Sequence, residues 1–106
     1  MAFFHFRNVK VAGIAAGVPK KIVNNLTYEH QISKDYDNAA FVKVTGVEKR
    51  HYDPELTTSD LCFAAAKQLL TDLNWDAKEI DAIIIVSQTL DFILPATACI
   101  MQDKLG

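Results

Sequence analysis

The stretch IDAIIIVS, residues 80–87, constrains this chain more than any other. Ile83, Ile84, Ile85 and Val86 follow one another with no polar residue between them. A strand that reads as a continuous β-branched run, without alternation, is one covered on both faces, as parallel strands of α/β layers are. Immediately upstream, residues 60–73 place Leu61, Ala65, Leu69 and Leu73 at i, i+4 spacing, and Cys62, Phe63, Ala66 and Leu70 widen that stripe. A helix apolar over so much of its circumference is mostly buried. The run Ala64-Ala65-Ala66 lets a neighbouring element come close, and Thr57-Thr58-Ser59-Asp60 supplies the short oxygen-bearing side chains of a helix start. A long buried helix leading into a buried strand predicts a parallel α/β layer.

The remaining elements are shorter. Residues 9–16 (VKVAGIAA) form a second apolar run closed by Gly17-Val18-Pro19, the pattern of a buried strand and turn. Residues 20–24 read as a connector. Asn25 is placed to cap a short helix over residues 26–33, and Asp37 or Asn38 to cap a second, with Phe41, Val42 and Val44 as its apolar side and Gly46 at its left-handed stop. Residues 47–52 (VEKRHY) read as extended, and Asp53-Pro54 as a turn. Asn74-Trp75-Asp76 breaks the long helix, and Asp76 with Glu79 has the spacing of a capping box. A last helix has Pro95 at a first-turn position, Ala98, Met101 and Leu105 as its apolar set, and Gly106 at its end.

Composition excludes several classes. The 106 residues are enough for one small domain, 1–106; half are hydrophobic and 23% charged, as in globular chains. A compact domain of this size buries somewhat over ~60% of the surface its unfolded chain exposes. The net charge is −2, and the densest basic spots, Lys20-Lys21 and Lys49-Arg50-His51, are short, so no nucleic-acid surface is expected. MAFFHF runs into Arg7 and Asn8 without a cleavage motif, no apolar run is long enough to span a membrane, and a cytoplasmic protein is expected. Cys62 and Cys99 lack metal-ligand spacing and read as buried structural thiols; His5, His30 and His51 read as surface residues. The loop QTLDFIL, residues 88–94, is poor in glycine and charge, and its Leu90, Phe92, Ile93 and Leu94 should be covered by core, by a second subunit or by an apolar ligand.

Taken together, VTGVEKRHYDPELTTSDLCFAAAKQLL and IDAIIIVSQTLDFILPATACIMQDKLG resemble the start of β-ketoacyl-ACP synthase III, of the thiolase superfamily. The specific parts are Thr45-Gly46 with Arg50 behind them, Ser59-Asp60-Leu61 with its alanine run, and Pro95-Ala96 leading to Leu105-Gly106. The resemblance implies the N-terminal part of a thiolase-like α/β fold, with layered helices on a mainly parallel sheet. It implies a parent acyltransferase of fatty acid biosynthesis, joining an acyl thioester to malonyl-ACP by decarboxylative Claisen condensation. In that family a cysteine thiolate at a helix N-terminus takes the acyl group, while His and Asn stabilise the oxyanion. These groups follow the Leu-Gly pair, so no catalytic residue is expected within this chain. Acyl carrier protein, an acyl thioester and a second copy of the chain are the implied partners; no cofactor or metal is implied.

Four positions are carried over as substrate-binding. The family places an aromatic residue and, one turn later, an Arg at the mouth of the pantetheine tunnel; Ala40 and Val44 stand there, beside a retained Thr45 and an adjacent Lys43. Alanine has no stacking face and valine no charge to pair with phosphate, so an acyl-ACP donor, or a condensing enzyme of a secondary pathway, fits better than the usual acyl-CoA primer. Leu94 takes the place of the loop-tip residue that completes the partner's acyl pocket, and Phe92, Ile93 and Leu94 form the expected subunit interface. A catalytically silent partner subunit is the alternative, and a small α/β interaction domain a third.

Overall fold

A computed structural model describes residue 5 and residues 7–30, 32, 34–35 and 37–106. MAFFHF, apart from His5, lies outside the described residues. Among the described residues, three helices, one short 3₁₀ turn and a two-stranded sheet follow in the order β1 (Ile22–Asn24), α1 (Asn38–Thr45), β2 (Lys49–His51), α2 (Thr58–Leu73), the 3₁₀ turn (Ala77–Glu79) and α3 (Thr97–Leu105).

The organising element is α2. Thr57 accepts from the backbone N–H of Asp60, and the Asp60 carboxylate accepts from the backbone N–H of Thr57, so two free donors at its start are satisfied reciprocally. Asn74 ends it in the left-handed conformation, φ 55°, ψ 44°, its N–H turned back onto the last carbonyls. Against α2 lie both apolar runs. A Cβ built on Gly13 would stand 2.7 Å from Leu69 Cδ1, and one on Gly17 2.7 Å from the Leu61 carbonyl oxygen and 3.6 Å from Ala65 Cβ. Residue 13 therefore sits toward the end of α2 and residue 17 toward its start. Residues 80–89 also return from its end to its start, where the Thr58 hydroxyl donates to the Thr89 carbonyl. Both segments run opposite to α2, hence parallel to each other, in the direction the sequence implies.

The hydrogen-bonded ladder is a correction. Neither residues 9–16 nor 80–87 carry strand pairing, and the sheet among the described residues is the antiparallel pair β1–β2, with Ile22 opposite His51, Val23 opposite Arg50 and Asn24 opposite Lys49. The two runs are extended, with α2 on one face: Ile83 and Ile85 turn with Cys62, Ala66, Leu70 and Met101 toward an apolar cleft of about 330 Å³, while Ile84 and Val86 are 85% and 94% exposed. The sequence leads one to expect cover on both faces; here one face has it.

The local differences have local causes. Residues 20–24 are not a mere connector, because Ile22–Asn24 pairs as β1. Residues 26–30 form turns and bends, not a helix, and residues 31 and 33 lie outside the described ones. Asn38 explains this: its amide donates to the carbonyls of Tyr28 and His30, at 2.9 and 3.1 Å, and its oxygen accepts from the N–H of Ile32, at 3.1 Å, drawing the segment into a loop. Asp37 caps α1 and Gly46 closes it at φ 73°. Pro95 precedes the N-cap Ala96, two positions before the first helical residue Thr97 where a first-turn proline would stand, and the Leu94–Pro95 bond is cis. Cys62 is half-buried and Cys99 exposed, so neither is the buried thiol expected.

Among the described residues, Val23 and Met101 are the buried hydrophobic ones. The accessible surface is 9172 Å², against about 5,900 Å² for a compact monomer of this mass. The radius of gyration is 18.1 Å, against about 13 Å for a compact chain of this length. The chain thus buries less than a closed domain would, because the two apolar runs meet α2 on one side and leave Val9, Val11, Ile14, Ile84 and Val86 exposed on the other.

The Gly17 approach is testable. Its obstacle is backbone, which cannot move aside, whereas the obstacle at Gly13 is the end of a leucine side chain. Gly17→Ala is expected to destabilise by about 1–3 kcal/mol and Gly13→Ala by distinctly less, measured by urea unfolding. Equal losses would contradict the packing described.

Candidate functional site

The loop between residue 87 and α3 is built from both ends. At its start the Ser87 hydroxyl accepts from the Thr89 N–H at 3.0 Å, and the Thr58 hydroxyl bonds both the Thr89 carbonyl and its hydroxyl. Asp91 then reaches the start of α2: the Ser59 N–H donates to its two oxygens at 3.2 and 3.3 Å. Ser59 is 1% exposed, and its hydroxyl accepts from Lys104 Nζ at 2.8 Å, from the last turn of α3. Lys104 also pairs with Asp60 at 2.6 Å. One polar knot therefore joins the start of α2, the end of α3 and the loop. Beyond it, Phe92, Ile93 and Leu94 are exposed, the last two at 92% and 82%, before Thr97 and Met101 bury the start and middle of α3.

The electrostatics follow from the knot. Hydrogen bonding from Lys104, with the amide and hydroxyl of Thr57, holds the Asp60 carboxyl down at about 2. The hydroxyl and amide of Ser59 hold Asp91 below the usual carboxylate range.

The other predicted positions sit on α1. Ala40 is half-buried in the first turn and its N–H donates to the Asp37 cap at 2.7 Å. Val44 is exposed on the same face one turn later. The Thr45 hydroxyl donates to the Phe41 carbonyl at 2.8 Å and accepts from the Val47 N–H at 3.2 Å, so both its functions are engaged by backbone. Lys43 is exposed in the last turn. Ala40, Val44 and Thr45 thus form one group and Phe92, Ile93 and Leu94 another, and among the described residues no hydrogen bond joins the two.

A second polar centre escaped the sequence reading. Asn25 is fully buried; its amide donates to the Val47 carbonyl at 2.8 Å and its oxygen accepts from Arg50 Nε at 2.9 Å. The Arg50 guanidinium lies 4.4 Å from the Tyr52 ring centre and 5.0 Å from that of Tyr28, between two aromatic faces. Asn25 thus locks β1 to β2 instead of capping a helix. The histidines are exposed, and His51 Nδ1 lies 2.6 Å from the Pro19 carbonyl oxygen. Among the described residues no group of three or more His, Cys, Asp or Glu could hold a metal ion, and no helix is long and apolar enough to cross a membrane.

A long helix serving two parallel extended runs, with an apolar loop leading into a further helix, defines an α/β layer of thiolase-like kind. Nearly the whole chain is homologous to β-ketoacyl-[acyl-carrier-protein] synthase III. The protein of that name from Syntrophomonas wolfei is 40% identical over 99 residues, 92% of this chain and 29% of the relative. That from Rhodopirellula baltica is 37% identical over 103 residues, 96% of this chain and 29% of the relative. Crystal structures agree: 3-oxoacyl-(acyl-carrier protein) synthase from Burkholderia xenovorans superposes with a TM-score of 0.69 at 38% identity, covering 87% of this chain and 27% of that one. The synthase III from Aquifex aeolicus gives 0.69 at 30% identity, covering 87% and 30%. The chain spans under a third of the length of these relatives. No family model matches it.

The depressed Asp60 carboxyl carries a pH consequence. Its folded value lies below the unfolded 3.8, so its contribution is complete above about pH 4 and is lost as pH falls toward about 2. Acid unfolding followed by circular dichroism should steepen across that window, and Asp60→Asn should remove this component. An unchanged acid limb in the variant would contradict the assignment.

Proposed function

We propose that this chain is part of a 3-oxoacyl-ACP synthase, an acyltransferase that condenses an acyl thioester with malonyl-ACP in fatty acid biosynthesis. The observation that carries this reading is the 40% identity over 92% of the chain to a synthase III, together with superposition on solved synthases at a TM-score of 0.69. In the reaction, an acyl group carried on an enzyme thiolate is attacked by the carbanion that malonyl-ACP yields on losing CO₂. The products are 3-oxoacyl-ACP, CO₂ and the free thiolate.

Residues 1–106 supply no catalytic group to this chemistry. They supply shape. Thr45, Ala40 and Val44 border the route by which the donor enters, and Phe92, Ile93 and Leu94 cover a second copy of the chain, with Leu94 closing that copy's acyl pocket. The exposure of all three loop-tip side chains supports this. Ala40 and Val44 offer neither an aromatic face nor a cation, which favours acyl-ACP over acyl-CoA as donor. The same two residues favour a second reading, a silent thiolase-like subunit that completes another protein's pocket.

The intact protein that carries this sequence should convert an acyl thioester and malonyl-ACP to 3-oxoacyl-ACP with release of one CO₂, detected by mass spectrometry, while residues 1–106 alone should not. Absence of turnover by the intact protein would favour the silent subunit. Leu94→Phe, which adds bulk at the pocket end, should disfavour longer acyl chains by about tenfold in kcat/KM. An unchanged chain-length profile would remove Leu94 from the pocket.

A further inference from the structure

Asp91 is the single charged residue in the otherwise apolar or neutral loop QTLDFIL, residues 88–94. Its carboxylate is held by a buried residue 32 positions away: both oxygens accept from the Ser59 N–H, and Ser59 is 1% exposed. The start of a helix offers unpaired N–H groups and a positive dipole end, both suited to a carboxylate. Thr57 serves one of those donors locally and Asp91 serves another from outside the helix. Two residues earlier, Thr89 is tied to Thr58 through backbone and side chain. On the far side, Thr97 and Met101 are buried in α3. The exposed triplet Phe92-Ile93-Leu94 is therefore a short apolar span clamped at both ends. Ordering such a span in advance lowers the entropy lost when it docks.

We propose that Asp91 is a positioning residue: its clamp on the start of α2 fixes the direction and order of Phe92, Ile93 and Leu94 before they meet the surface they cover. The clamp stands on the hydrogen bonds above; only its effect on acyl selectivity rests on the reading under Proposed function. Ser59 is the hub, because the same residue takes Lys104 on its hydroxyl and Asp91 on its amide.

Amide hydrogen exchange on the intact protein tests this with Asp91→Ala and Asp91→Asn. Asp91→Ala should speed exchange at Ser59 and at residues 92–94 by about fivefold to tenfold, the loss of a helix cap, and leave Leu69 and Leu70, in the far half of α2, unchanged. Asp91→Asn retains one acceptor oxygen and should give a smaller rise at the same amides. Faster exchange at Ser59 with no change at residues 92–94 would overturn the proposal, since Asp91 would then only cap the helix. A uniform rise that includes Leu69 and Leu70 would overturn it too, marking a general loss of stability. In the condensation assay Asp91→Ala should shift the kcat/KM ratio between long and short acyl thioesters by roughly threefold, mainly through KM. A loosened tip with an unshifted ratio keeps the clamp and refutes the acyl-pocket reading instead.

Discussion

Everything in this chain depends on how closely two extended segments can approach one helix. Gly13 and Gly17 have no side chain where one would meet Leu69 and the Leu61 carbonyl, and Ala65 is small where Gly17 passes. That proximity sets the course of residues 9–18 along α2. The return of residues 80–89 along the same helix then makes the two runs parallel. A larger residue at Gly17 would meet backbone, so the spacing is enforced by atoms that cannot rearrange cheaply.

The same arrangement sets what lies open. With α2 on one side, Ile83 and Ile85 are half-covered, and Ile84 and Val86 stand almost fully in solvent. The large exposed surface and the extended dimensions are the same fact at the scale of the chain. The exposed apolar tip at Phe92, Ile93 and Leu94 differs from this bare face. It is held by hydrogen bonds at its base, whereas Ile84 and Val86 belong to a segment without a ladder. Chains homologous over this length are more than three times as long, and their superposition on this one keeps the layer recognisable.

Features that were legible in the sequence are those whose partners lie within a few residues. Thr57 and Asp60, Asp76 and Glu79, Gly46 and Asn74 act on helix ends beside them, and each acts as its type and spacing imply. The long helix was legible because its stripe is wide and its period regular. What escaped are pairings across distance: Asn25 with Val47 and Arg50, Asn38 with three backbone groups of the preceding loop, Ser59 with Asp91 and Lys104. Nothing local marks Asn25 as a cross-strand lock rather than a cap, since the same side chain serves either use and the lock's partners, Val47 and Arg50, lie more than twenty residues away. Asp91 did carry a signal, a lone charge in an apolar loop. The roles of Ala40, Val44, Thr45 and Leu94 came from resemblance, not from pattern. The structure gives each a position, and their work on a substrate is part of the proposal.

Residues 82–87 lie extended on α2 and, among the described residues, carry no strand pairing. Residue-resolved amide exchange on the 106-residue chain, dilute enough to prevent self-association, measures this directly. Rates for Ile83 to Val86 near those of an unstructured peptide, beside protected amides in the interior of α2, are the expected result. Strong protection at Ile83 to Val86 would show a ladder where the structure has none and contradict the account.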